Sequence, residues 1–302
     1  MKRSIFLGAV FASVATILVG GSVAVSGLLT HYPPLWSQSI RYALGAGILA
    51  LVAISRGLPF PRLSVRELLL LLALALTGLV GFNLCLLAAL RYSDPTAVGT
   101  MVGAVPIFLA LVGPLTQRQI PQLAVVLGAG IISVGTIITQ GYGNSATTPL
   151  GILLSIGALL GEASFTLLAV PLLPKLGPLV LSFYACAMAS VILAVLALFW
   201  GGDNALPVPT LLQFLALGYL ALAVTAGAFL AWYAGLTRLG AARAGLFSSL
   251  IPISTLVCGI FLGTTSMTFV RALGCGLVAV GVVIGFLPSL EKRTRKLPLA
   301  QD

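Results

Sequence analysis

Roughly ten apolar runs of membrane length follow one another along this 302-residue chain, and they leave almost nothing from which to build a water-soluble surface. The runs extend from Ile5 to Leu29, Leu35 to Ile54, Leu68 to Leu90, Pro95 to Leu115, Leu123 to Thr139, Leu150 to Pro171, Leu179 to Trp200, Leu211 to Leu236, Ala241 to Leu262 and Val270 to Leu287. About 18 consecutive apolar residues suffice to span hydrocarbon. With 59% hydrophobic and 7% charged residues and a mean hydropathy of +1.15, the chain is confined to a bilayer. Backbone in lipid must satisfy its own hydrogen bonds, and runs this long without strict alternation predict helices rather than a barrel. The expected fold class is an all-α membrane protein with ten transmembrane helices.

The net charge of +10 is distributed as a membrane protein would place it. An up-and-down path puts Lys2, Arg3, Arg56, Arg62, Arg66, Arg118, Lys175, Arg238, Arg243, Lys292, Arg293, Arg295 and Lys296 on one side, against Arg91 and Arg271 on the other. This is the positive-inside bias, and it predicts cytoplasmic termini. The cluster from Lys292 to Lys296 reads as a stop-transfer and lipid-headgroup patch rather than a nucleic-acid arm. Lys2 and Arg3 ahead of an apolar run, with Ala24-Val25-Ser26 beyond, imitate a signal peptide. The run is too long for an h-region, and removing it would unbalance the chain, so it is kept as the first helix. Cys85, Cys186, Cys258 and Cys275 fall within apolar runs without metal or disulfide spacing, and read as small core residues.

A second pattern lies within the runs. Gly99, Pro106, Gly113, Gly128, Gly130 and Gly135 recur 146 positions later as Gly245, Pro252, Gly259, Gly274, Gly276 and Gly281. Small residues and helix breakers set how closely helices approach and where they bend, so their recurrence predicts one helical unit built twice. The copies match without a gap from Leu71 to Ile138 against Leu217 to Ile284; the first and sixth runs do not follow that offset. An odd number of spans per unit turns the second copy upside down, as the charge bias also requires. The predicted organisation is a first five-helix repeat over 1–143, an inverted second over 144–290, and a basic cytoplasmic tail over 291–302.

Val105-Pro106-Ile107, then Gly128-Ala129-Gly130 and Gly135, with their echoes Ile251-Pro252-Ile253, Gly274-Cys275-Gly276 and Gly281, resemble the doubled unit of EamA-type drug/metabolite transporters. The resemblance covers nearly the whole chain and is nearest to the bacterial aromatic amino acid exporters of that group. It implies a plasma-membrane exporter with a central cavity between its halves, working by alternating access. The chain departs from the common pattern at Gly113-Pro114-Leu115 and Leu262-Gly263-Thr264, where many relatives carry an acid, and at Val19-Gly20, where tryptophan-glycine is frequent.

Glu162 is the only acidic side chain deep inside an apolar run. A charge near the bilayer centre costs at least about 2.5 kcal/mol, so such a residue faces a cavity or a partner. It is a candidate for a substrate ammonium or a proton; the structural alternative is a pin joining helix six to helix two through Arg41. Asn83 is the other conspicuous polar residue at depth, equally suited to joining helices and to touching cargo. Phe229, Trp232 and Tyr233 cluster in the eighth run and could stack on a flat solute, although Trp232 could instead anchor the inner interface. Phe82, Met101, Phe165, Tyr184, Phe247 and Ser248 are further lining candidates, while Trp36 and Trp200 near outer helix ends read as an interface belt. Pro106 and Pro252, with Gly99 and Gly245, are candidate hinges.

Enzyme chemistry is poorly supported by the sequence. His31 is the single histidine and has no nearby carboxylate, and no zinc, serine-hydrolase or phosphate-loop motif is present. No cofactor is expected. A secondary carrier for neutral or zwitterionic solutes, such as aromatic amino acids, methionine or threonine, fits best; a passive channel or a non-transporting scaffold or receptor are the competing classes. Expected partners are the solute and membrane lipid, with the chain working as a monomer or a homodimer.

Overall fold

The computed structural model describes residues 2–29, 31–93, 95–140, 148–200, 208–263 and 266–287. Every regular element among them is helical. In chain order the helices are α1 (Lys2–Ser26), α2 (Pro34–Ser55), α3 (Val65–Tyr92), α4 (Pro95–Val102 and Val105–Thr116), α5 (Leu123–Gln140), α6 (Pro149–Leu167), α7 (Leu173–Trp200), α8 (Leu211–Leu239), α9 (Ala241–Phe261) and α10 (Phe269–Gly285). Eight are long and apolar enough to cross a membrane, while α5 and α10 are shorter. The chain is a multi-pass membrane protein. The tail over 291–302 lies outside the described residues.

The spacing of 146 governs element boundaries as well as glycines. At the start of α3 the Ser64 hydroxyl accepts from the Glu67 backbone N–H, while the Glu67 carboxylate accepts from Ser64 N–H at 2.7 Å. At the start of α8, Thr210 and Gln213 repeat this reciprocal cap. Each helix then widens into π-helical turns, at Leu74–Gly81 in α3 and Leu220–Ala228 in α8. Such turns shift the phase of everything that follows, and they are frequently found at functional sites.

The proline pair acts one turn earlier than its own position. α4 is interrupted at Gly103–Ala104, so that Pro106 sits in the first turn of a fresh segment, Val105–Thr116. In α9 the turn Leu246–Ser249 tightens to a 3-10 helix just ahead of Pro252. A proline has no N–H for the carbonyl four residues back and crowds it, so the strain falls on the preceding turn.

Glycine lets the short helices touch backbone to backbone. A methyl placed on Gly128 of α5 would meet the Gly281 carbonyl oxygen of α10 at 2.5 Å; one on Gly135 would meet that of Gly274 at 2.8 Å. As α5 ascends from 128 to 135, its partner descends from 281 to 274, so the two run antiparallel. These contacts are also reciprocal, because Gly128 and Gly274 are equivalent positions, as are Gly135 and Gly281. α4 and α9 meet in the same sense, Gly113 on Ala241 and Gly245 on Leu109.

The first and sixth helices fit the same scheme with a different spacing. Gly8 of α1 packs on Leu239 at the end of α8, and Gly151 of α6 packs on Ser93 at the end of α3. Leu239 and Ser93 are equivalent at 146, so α1 and α6 correspond at 143. A three-residue difference in the following connection hides this in an ungapped comparison. The main buried cluster lies among α2, α3, α7 and α8, with Tyr42, Leu74, Leu181 and Tyr233 at its centre.

Gly128→Ala should lower stability by about 1–3 kcal/mol, the usual cost of overpacking. A methyl on Gly130 would meet nothing within 4 Å, and Gly130→Ala should be neutral or slightly stabilising. Thermal unfolding midpoints of the two variants in one detergent check the contrast.

Candidate substrate site

Helix periodicity decides where Glu162 points. Ser155, Ala158 and Thr166 share its stripe on α6, and none exceeds 1% exposure. Leu153, Ile156 and Leu160 form the opposite stripe at 65%, 41% and 44%. Glu162 therefore stands on the bundle-facing side, yet it is only half-buried. It lies roughly 20 Å along α6 from Pro149 and roughly 8 Å from Leu167, inside the apolar span but past its midpoint. Among the described residues no hydrogen bond or ion pair reaches its carboxylate; the one ion pair there joins Lys175 to Glu67 at 2.7 Å. Arg41 does not pin it. The Arg41 Nε donates to Thr225 Oγ1 at 2.8 Å, with the guanidinium 5.5 Å from the Tyr42 ring centroid.

One turn beyond Glu162, an aromatic cluster forms from three helices. Phe165 of α6 lies 4.8 Å from Phe229 and 4.9 Å, stacked, from Tyr233, both of α8. Phe229 in turn lies 6.3 Å from Tyr42 of α2. Trp232 donates its indole N–H to Thr166 Oγ1 at 3.2 Å, so it ties α8 to α6 rather than anchoring at an interface. Gly78 and Gly161 bring α3 and α6 close enough for this: a methyl on Gly78 would meet Phe165 backbone at 2.8 Å, and one on Gly161 would meet Phe82 at 2.9 Å.

Asn83 is buried and acts as a joint between helices. Its amide nitrogen donates to the Tyr42 hydroxyl at 3.0 Å and to the Leu79 carbonyl at 2.7 Å. Asn83 and Phe229 are equivalent positions, each just after a π-helical stretch, and both meet Tyr42. Tyr42 and Thr166 carry much of this arrangement although neither is singled out by the sequence; a polar residue beside Arg41 at depth was the available signal.

Other candidates lie apart from this cluster. Tyr184 packs with Phe183 and with Phe60 of the α2–α3 loop. Phe247 packs edge-on against Phe286 at 5.7 Å, and the Ser248 hydroxyl is spent on the Gly245 carbonyl at 2.8 Å. Met101 and Gly99 sit half-buried in the first segment of α4, ahead of the interruption, and Gly245 lies at the α4–α9 contact. Trp36 is buried among Leu29, Tyr32, Ala197 and Leu217 rather than facing lipid, and the Trp200 side chain lies outside the described residues. One cavity of about 350 Å³ runs along α5 beside Leu277, and another of about 120 Å³ lies near Arg243. Neither is lined by the candidate solute contacts.

The EamA-like transporter family profile matches twice, over residues 6–140 and 149–287. The chain belongs to the EamA-like transporter family. It is 28% identical over 294 residues to the uncharacterized transporter YetK of Bacillus subtilis (strain 168), covering 95% of this chain and 88% of that one. It is 27% identical over 259 residues to the uncharacterized inner membrane transporter YedA of Escherichia coli (strain K12), covering 84% and 81%. A solved crystal structure superposes with a TM-score of 0.81 at 17% identity, covering 96% of this chain and 98% of its own, which speaks for the fold alone. Family and relatives together make this EamA-like chain a membrane transporter rather than an enzyme.

Tyr42→Phe should cost about 0.6 kcal/mol, the average of a hydrogen bond between membrane helices. Asn83→Ala should cost more, since it loses both bonds. A cargo contact would instead change KM at unchanged thermal midpoint, so measuring both quantities in each variant separates the two roles.

Proposed function

We propose that this EamA-like chain is a secondary transporter of the bacterial plasma membrane that exports small zwitterionic metabolites by alternating access. The observation that carries this is Glu162: a carboxylate without a hydrogen-bond or ion-pair partner among the described residues, on the bundle-facing stripe of α6 and one turn before Phe165, whose ring meets Phe229 and Tyr233. A carboxylate so placed attracts an ammonium group, and the rings of Phe165, Phe229 and Tyr233 offer an apolar body for stacking. Aromatic amino acids, methionine and threonine combine those two features. The resemblance to amino acid exporters supports the same cargo and the outward direction.

Alternating access is proposed to come from two inverted five-helix blocks, 1–143 and 144–290, closing a central cavity around Glu162. The antiparallel, reciprocal contacts of α5 with α10 and of α4 with α9 support an inverted pairing. The positive-inside bias supports cytoplasmic termini. One chain supplies both blocks, so the carrier unit is complete as a monomer and could also work within a homodimer. The interruptions beside Pro106 and Pro252, with Gly99 and Gly245 close by, are the proposed hinges.

The test is counterflow in vesicles reconstituted with the purified protein, using phenylalanine, tyrosine, tryptophan, methionine and threonine, with and without a pH difference. Saturable exchange of at least one is expected, and uptake of none removes the cargo class. Glu162→Gln should lower the rate at least about tenfold, the loss of one charged hydrogen bond, while the thermal midpoint holds. Unchanged exchange would take Glu162 out of the site.

Pro106→Ala and Pro252→Ala restore the missing N–H and should lengthen the regular helix, slowing exchange while raising the unfolding midpoint. Equal exchange rates in both variants and the wild type would leave the two breaks as static bends.

A further inference from the structure

The turn before α5 and the turn before α9 meet in a small polar cavity. Its volume is about 120 Å³, and its walls include Gln117, Gln119, Gln122, Gly240 and Arg243. Gly240 adopts a left-handed φ of 75°, which folds the α8–α9 turn against the end of α4. Arg243 is half-buried, and one of its nitrogens donates to Gln122 Oε1 at 3.1 Å. A guanidinium has five N–H donors, and among the described residues one of them is engaged, so the others can meet a ligand. Among the described residues no acid lines the cavity, leaving a net positive charge beside amide groups that also can donate.

The repeat supplies an internal control for this joint. Positions 146 away from Gln122 and Arg243 are Thr268 and Ala97, and those equivalent to Gln117 and Gln119 are Gly263 and Thr265. The equivalent joint at the opposite membrane face therefore lacks the amides, and its charges stand elsewhere, with Arg271 at the position of Val125 and Asp94 at that of Gly240. The cluster of amides around an arginine is found at one joint only, on the face that the positive-inside bias assigns to the cytoplasm.

We propose that this cavity is a binding site for a phosphate group, held by Arg243 with Gln119 and Gln122 at the cytoplasmic seam between the two halves. The group belongs either to the headgroup of an anionic phospholipid or to free phosphate; both present the same tetrahedral oxyanion to a guanidinium. Its sidedness rests on the orientation proposed above, while the site itself does not depend on transport.

Thermal unfolding of the purified full chain in detergent tests this, with added phosphatidylglycerol, phosphatidylcholine, sodium phosphate, or sodium chloride at matched ionic strength. The wild type should shift upward with phosphatidylglycerol and not with phosphatidylcholine or chloride. An equal shift with sodium phosphate would assign the site to the free anion, and its absence would assign it to the lipid. Arg243→Gln should lose most of the shift. Gln119 is exposed, so Gln119→Glu brings a negative charge into the wall without disturbing packing and should lose it too. Arg271→Gln, on the opposite face, should keep it. No shift in the wild type, a full shift in Gln119→Glu, or a loss as large in Arg271→Gln would overturn the site. Because no flux is measured, these outcomes are distinguishable from a failure of the transport proposal.

Discussion

Backbone contact between antiparallel helices holds this fold together. Lipid tails are as apolar as leucine, so burying leucine between helices gains little, and association depends on how closely surfaces fit. Gly128 on Gly281 and Gly135 on Gly274 bring α5 and α10 within reach of each other's carbonyls. These are the two shortest of the described helices, at 18 and 17 residues or about 27 and 26 Å. A short helix in a thicker layer is penalised unless neighbours or bilayer thinning absorb the mismatch. Pairing them through glycine at the seam puts both at the place where close contact offsets that penalty. α4 and α9 extend the seam through Gly113 and Gly245, and the breaks beside Pro106 and Pro252 sit on the helices that form it.

Much of this was legible in the sequence because it repeats there. Four of the glycines that recur at 146, Gly128, Gly135, Gly274 and Gly281, touch across α5 and α10, whereas a methyl on Gly130 or Gly276 would meet nothing within 4 Å; the capped starts Ser64 to Glu67 and Thr210 to Gln213 follow the same spacing. What stayed hidden has physical reasons. The π-helical stretches leave no compositional mark, since leucine, alanine and glycine suit an ordinary helix equally well. The correspondence of α1 with α6 is displaced by three residues, which an ungapped comparison cannot absorb. A helix end does not reveal which face a side chain takes, and so Trp36 turns inward rather than to lipid.

The candidate site divides along the same line. Glu162 could be singled out from depth alone, because an acid is rare there whatever surrounds it. Its neighbours could not, since nothing in the sequence distinguishes Phe165, which joins Phe229 and Tyr233, from Tyr184, which joins Phe60 and Phe183. Arg41 shows the limit of pairing by charge. Its nearest acid in depth is Glu162, yet it is satisfied by a threonine hydroxyl in the π-helical part of α8 and by the face of Tyr42. That arrangement leaves the carboxylate without a fixed countercharge among the described residues.

Near-equal halves raise the question of how a symmetric scaffold acquires direction. Here the backbone is duplicated and the polar chemistry is not. The position equivalent to Glu162, 143 residues earlier, is Val19, and the amide of Asn83 is answered by the ring of Phe229. The ends differ as well: Lys175 bridges Glu67 and the Arg62 carbonyl, and Arg243 holds Gln122, on the face rich in basic residues. At the opposite face the halves are joined by a neutral bond from the Thr148 hydroxyl to the Tyr92 carbonyl. Charged ties screened by water and neutral ties differ in cost of opening, and they respond differently to salt and to anionic headgroups. On the alternating-access reading proposed above, a solute meeting Glu162 from either side finds two doors built on one backbone plan but held by different forces, which is sufficient for inequivalent opening without any asymmetry in the fold itself.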